Sequence, residues 1–258
     1  MRVLLTNDDG IEAAGLLVLE AALKEAGAEV AVVAPDQERS GASHSVSLRR
    51  PLTILERGHD RYAISGTPAD AAHLAINHIL KDRRPDVLIS GINLGANLGC
   101  DIHYSGTVAA AREGALLGVP SFAISLDTRR EDADFGPAAR QAVSMARALA
   151  RHSLPSRTFL NVNLPDLPQE QIKEIRSTVQ GIRHYDNVVN VLHAGNGERH
   201  FTFGGAPLGG ENIEESDIVA VQRGHVSVTP LRLDLTQQGA MGWLADVLRD
   251  GGGGHGKE

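Results

Sequence analysis

Cysteine, aromatic residues and long apolar runs are all scarce in this 258-residue chain. It has a single cysteine, Cys100. No intrachain disulfide framework is possible, and the composition fits a reducing compartment. Aromatics make up 3% of the residues, so Leu, Val, Ile and Ala must fill the core. No apolar stretch approaches the ~20 residues of a membrane-spanning helix. The first apolar run, ahead of Thr6, is too short for a signal-peptide core. Positive charge is also in deficit, with a net charge of −7 and a pI near 5.9. That balance argues against a general binder of nucleic-acid polymers, which carries a basic patch. It still allows a small anionic substrate at a local site. The expectation is a cytoplasmic protein with no membrane partner.

What is present is a regular alternation. Arg2 to Thr6, "AEVAVVAP", "PDVLISG", "PSFAISL" and "RTFLNVNLP" read as buried strands. Between them, Ala13 to Ala26, "PADAAHLAINHIL", Thr107 to Leu117 and "PAARQAVSMARALARH" read as helices, and "TILERGHDRYAIS" as two short strands around Gly58. Continuous apolar strands alternating with helices predict an α/β fold, a Rossmann-like, mainly parallel sheet with helices on both faces. After Pro165 the texture changes. "IKEIRSTVQ", "RHYDNVVNVL", "RHFTFGG" and "GHVSVTPLRLDL" read as strands between Gly-rich turns, and "ESDIVAVQRG" as either helix or strand. The expected layout is an α/β catalytic core over 1–165, a β-rich extension over 166–235 that packs on or continues it, and a C-terminal helix or arm with a flexible Gly-rich tail over 236–258.

Ligands of a parallel α/β sheet sit at the carboxyl ends of its strands. Three polar clusters follow strands here. The first is Asn7-Asp8-Asp9-Gly10. Two adjacent carboxylates at a buried strand end lose water and repel each other, a cost that a hard cation with oxygen ligands would offset. Capping of the following helix is the simpler alternative, and it explains one Asp better than two. The second is "APDQERSGASHS", whose hydroxyls and backbone N–H groups can meet an anion or a metal, or which is an ordinary solvated loop. The third is "SGINLGANLGCDIHYSGTVAAAREG". Its glycines permit close backbone approach, and Ser105, Gly106 and Thr107 open a helix where N–H groups favour phosphate. Alternatively it is a glycine-rich connection with ordinary caps. A cation beside a phosphate site suits phosphoryl chemistry.

In this order the three clusters closely resemble the SurE family, the survival-protein-E-type nucleotidases. The likeness is strong to about residue 125 and looser through "NVNLPDLP" and "GHVSVTPLRLDLT". The resemblance implies a metal-dependent phosphoric monoester hydrolase of the acid-phosphatase type. It would remove phosphate from nucleoside 5′- and 3′-monophosphates and, in some members, from short polyphosphate. It implies one divalent cation per subunit, Mg2+ or Mn2+ ahead of other ions, held by Asp8, Asp9, Ser40 and Asn93. Asn97, Ser105, Gly106 and Thr107 fall in its phosphate-contacting segment. Asp9 is the expected catalytic group, with Asn7 and His103 as further candidates. His44 also flanks a cluster, though packing or surface roles suit both histidines, and Cys100 reads as a loop residue.

Two rivals remain at this stage. One is a phosphatase using Asp8 or Asp9 as nucleophile, although the alternating Asp-x-Asp of the commonest such family is absent. The other is a non-catalytic nucleotide or metal sensor. Finally, "MGWLADVL" carries more apolar surface than a free helix exposes comfortably. Either it docks on its own core, or residues 231–248 form an arm that builds a homodimer or homotetramer.

Overall fold

The computed structural model describes residues 1–186, 188–195, 198–205, 207–211 and 213–251. The expected "GGGGHGKE" tail lies outside them apart from Gly251. In chain order the strands of the first part are β1 (Arg2–Thr6), β2 (Glu29–Pro35), β3 (Ile54–Glu56), β4 (Arg61–Ile64), β5 (Val87–Leu94), β6 (Ser121–Asp127) and β7 (Thr158–Pro165). Helices α1 (Ala14–Glu25), α2 (Pro68–Leu74), α3 (Gly106–Leu116) and α4 (Gly136–Leu149) alternate with them. Beyond Pro165 come β8 (Lys173–Ser177), β9 (Arg183–Tyr185), β10 (Val188–Gly195), β11 (Glu198–Gly204), β12 (Pro207–Gly210), α5 (Asp217–Gln222), β13 (His225–Arg232) and α6 (Met241–Gly251).

A nine-stranded sheet runs in the order β3-β4-β2-β1-β5-β6-β7-β13-β8. From β4 to β7 every pairing is parallel. Strand β3 is antiparallel to β4, and β13 to β7. Residues beyond 165 therefore add β13 and β8 to the same sheet, while β10–β11 and β9–β12 form separate two-stranded ribbons.

The period-two alternation of a strand sorts the core into two layers. Val3 and Leu5 of β1, with Val32 and Ile89, pack with Leu16, Leu19 and Leu23 of α1 and with Ala138, Ala139 and Ala142 of α4. Leu4, with Val33 and Leu88, packs on the other face with Ala71 and Ala72 of α2 and Ala110 of α3. The small residues of α2 and α3 let these helices lie close to the sheet, which is how a chain poor in aromatics fills its interior.

Three local expectations change. The helix begun at Pro68 does not run regularly to Leu80: α2 ends at Leu74 and widens into a π-turn over Ala75–Ile79, closed by Leu80 N–H donating to the Ala75 carbonyl at 2.8 Å. "ESDIVAVQRG" resolves as helix α5, because Ser216 caps it by accepting from Val219 N–H and Ile218, Val219, Ala220 and Val221 are all buried. "RHYDNVVNVL" divides into β9 and β10, each pairing with a different partner.

Candidate active site

After β1 the chain crosses to β2 on one side, and after β5 it crosses to β6 on the other. The sheet therefore changes direction between neighbours β1 and β5, whose carboxyl ends part to leave a crevice. The acid cluster leaves β1 at that point and the glycine-asparagine cluster leaves β5. The serine cluster leaves β2 next door.

Asp8 and Asp9 do not cap α1. That helix has Ala13 at its N-cap, no side-chain cap bond and no acid in its first turn. The acids belong instead to a turn closed by Gly10, whose φ of +102° suits glycine. Asn7 braces the turn with Nδ2 donating to the Gly10 carbonyl at 2.8 Å. Its Oδ1 is buried without a hydrogen-bond partner.

Asp8 is 5% exposed. Burial raises its pKa, opposed by the Thr107 hydroxyl, which donates to Oδ1, and by the backbone N–H groups of Thr107 and Gly106. The start of α3 thus rests against Asp8. The approach is so close that a Cβ on Gly106 would lie 2.8 Å from the Asp8 Cβ. Asp9 is less buried, and its pKa is pushed up to about 7 by burial first, then by Asp8 and more weakly by Glu38. Leu94 N–H, 3.4 Å from Oδ2, pulls the other way.

Asp8, Ser40, Asn93, Asn97 and Ser105 line one cleft of about 630 Å3. Asp9 lines an adjoining recess of about 290 Å3 that shares Ser40 and Leu94 with it. Ser40 Oγ donates to Glu38 at 2.7 Å and keeps its lone pairs. Asn93 Nδ2 donates to the Gly95 carbonyl at 2.6 Å, which leaves Oδ1 as its acceptor. Ser105 caps α3, its Oγ accepting from Val108 N–H at 3.1 Å. Gly106 and Thr107 lie behind this wall against Asp8 rather than in it.

Two of the sequence-derived candidates are placed elsewhere. His103 is exposed and is not part of the cleft wall; it contributes only its carbonyl, which accepts from Ser43 Oγ at 2.6 Å. His44 Nε2 meets Glu113 at 2.9 Å, and His73 Nδ1 meets the other Glu113 oxygen at 2.8 Å. The pair pins the serine loop to α2 and α3. Cys100 is half-buried outside the cleft wall.

The structure also recruits residues that cluster reading passed over. Asn161 and Asn163 of β7 hold the Asn97 backbone: both Nδ2 groups donate to its carbonyl, and Asn163 Oδ1 accepts from its N–H at 2.8 Å. Ser125 takes the Asn97 side-chain amide at 2.8 Å. The signal was Asn-x-Asn at fully buried positions of an apolar strand. Asp101 joins Arg183 Nη1 at 2.7 Å and the Tyr185 hydroxyl at 2.5 Å, tying the third cluster to β9.

A crevice lined by carboxylate, amide and hydroxyl oxygens at the direction change of a parallel sheet defines a Rossmann-like α/β protein with a hard-donor, polar cleft. A family model described as Survival protein SurE matches residues 3–187. A 5′-nucleotidase SurE from Geotalea daltonii is 45% identical over 244 residues, covering 95% of this chain and 98% of its own. One from Myxococcus xanthus is 48% identical over 250 residues, covering 95% and 94%. The crystal structure of the SurE protein from Aquifex aeolicus superposes with a TM-score of 0.85 at 41% identity, over 96% of this chain and 99% of that one. The chain belongs to the SurE family.

Proposed function

We propose that the cleft hydrolyses nucleoside 5′- and 3′-monophosphates to nucleoside and phosphate with the help of one divalent cation, Mg2+ or Mn2+. The chain is a 5′-nucleotidase, as its relatives at 45% identity over nearly its full length are named. The observation that carries the metal requirement is the charge around the acid pair. The charges acting on Asp9 are those of Asp8 and Glu38, both negative. Among the described residues no cluster of three or more His, Cys, Asp or Glu forms a metal site. The donors on offer are two carboxylates with Ser40 Oγ and Asn93 Oδ1, an all-oxygen set that suits a hard cation. The unpartnered Asn7 Oδ1 beside them fits the same reading.

When bound, the cation supplies positive charge against the phosphoryl oxygens and the incoming water. The protein's own groups do the rest. Ser105 Oγ, whose hydrogen is free to donate, and the Asn97 Nδ2 hydrogen not given to Ser125 stand at the cleft wall and hold the phosphate; Gly106 and Thr107 act behind them by fixing Asp8. Asp9 Oδ1, the oxygen not engaged by Leu94, takes the proton of the attacking water. Asp8, nearly buried and held by Thr107, is badly placed to act as a nucleophile. The test is phosphate release from nucleoside monophosphates in Mn2+ and in chelator. Release that chelator abolishes is expected; binding without release would make the protein a sensor, and a trapped phosphoenzyme would favour the aspartyl route.

We further infer that the chain forms a homodimer or a homotetramer through residues 231–248. Helix α6 does not cover its apolar face within one chain: Met241, Trp243, Leu244, Val247 and Leu248 are all exposed. A two-fold exchange of arms would bury that face on both subunits.

A further inference from the structure

The chain contains five Phe, three Tyr and one Trp. Three of these few aromatics, Tyr104, Tyr185 and Phe203, line the same 630 Å3 cleft as Asp8 and Ser105. Tyr104 is 70% exposed and Phe203 90% exposed, so neither serves the core. They come from separate parts of the chain. Tyr104 directly precedes Ser105, the cap of α3, and Phe203 is the last residue but one of β11, followed by Gly204 and Gly205, which also line the cleft. The cleft is therefore lined by oxygen donors and aromatic rings together.

We propose that Tyr104 and Phe203 form a stacking platform for the nucleobase, which is held by its faces and not read at its edges. This rests on the nucleotidase reading above and adds the part of the substrate that the phosphate site ignores. A phosphate seated against Ser105 leaves the organic part of the ester in a cleft whose wall these rings share. Apart from the Tyr104 hydroxyl, the polar side chains of that wall are already engaged. Both Asp101 oxygens accept, from Arg183 and from the Tyr185 hydroxyl. One Asn97 amide hydrogen goes to Ser125 and the other is given to the phosphate. Gly204 and Gly205 carry no side chain. An aromatic face accepts any base, because every base has a π-face, whereas discrimination between bases needs free donors and acceptors.

The experiment compares kcat/KM for AMP, UMP and ribose 5-phosphate in the parent, Phe203→Leu and Phe203→Trp. Phe203 is exposed, so neither change disturbs packing. The parent is expected to prefer AMP over ribose 5-phosphate by about tenfold or more, the usual scale of one base–aromatic stack, with the difference in KM. Phe203→Leu keeps apolar area but removes the π-face and should lose most of that preference; Phe203→Trp should keep it. AMP and UMP should stay within about tenfold of each other, since stacking tolerates any base. An AMP-to-ribose 5-phosphate ratio unchanged in Phe203→Leu overturns the platform alone. Strong discrimination between AMP and UMP overturns its base-blind character. A parent that hydrolyses ribose 5-phosphate but no nucleotide overturns the nucleotidase reading, and the platform with it.

Discussion

Asp9 carries a charge that the metal-free fold tolerates poorly. Its carboxyl is pushed up to about 7 by burial and by Asp8. A carboxyl raised in the folded state favours folding while it is protonated and opposes it once ionised. In chelator at pH 8, Asp9→Asn should therefore melt above the parent. The gap should shrink as pH falls from about 7 toward the ordinary carboxylate range near 4, because the parent then takes up the proton the variant never needed. Thermal melts across that range check this, and a gap independent of pH would contradict it. With Mn2+ present the order of merit reverses: Asp9→Asn should lose at least about 100-fold in kcat/KM, the scale on which one acid–base or charge-stabilising group acts. Gly106→Ala tests the other side of the same contact. Its Cβ would fall 2.8 Å from the Asp8 Cβ and 2.9 Å from Oδ2. The cost should be about 1–3 kcal/mol of stability for overpacking, together with a loss of turnover as α3 moves off the acid. Calorimetry and a phosphate-release assay read the two effects separately.

At the scale of elements, the serine loop is fixed at several points, and Glu113 is the one that α3 supplies. His44 and His73 each meet one of its oxygens, and the bond from His44 is the main reason its pKa is lowered. A lowered carboxylate pKa contributes stability that is present above the ordinary value and is lost as pH falls through the depressed one. Glu113→Ala should lose about 1–3 kcal/mol at neutral pH, and the difference from the parent should close below about pH 4. It should also weaken catalysis, because Ser40 rides on the released loop; unchanged stability at pH 7 would show that the bridge carries no load. These elements differ in how far the sequence disclosed them. Runs such as "VLL" and "VAVVA" are apolar at every position and give way within two residues to Asn or Pro, so β1, β2 and β5 and the polar clusters after them are legible by pattern alone. The π-turn after Leu74 has no sequence signature, since it arises from one slipped backbone bond. Helix α5 is too short for its period to separate helix from strand. The Asp101–Arg183–Tyr185 link joins residues more than 80 positions apart, a proximity created only when β9 folds back over the cleft.

For the molecule as a whole, the direction change between β1 and β5 explains why motifs nearly 90 residues apart, at Asp8 and Asn93, share one cleft. Among the described residues no helix is long and apolar enough to cross a membrane. The proposed exchange of arms would give the exposed face of α6 its cover. Deleting the chain from Thr236 onward should give monomers or insoluble protein, and light scattering showing an unchanged oligomer would rule the arm out. In the proposed reaction the acid pair at the end of β1 holds the cation on which hydrolysis depends. Calorimetric titration of Mn2+ into chelator-stripped protein, run side by side on the parent and on Asp9→Asn, tests it most directly. One site per chain is expected in the parent and binding at least about 100-fold weaker in the variant, a loss of about 2.7 kcal/mol, with the far-ultraviolet circular dichroism of the two unchanged. Equal Mn2+ affinity in the two proteins would contradict it.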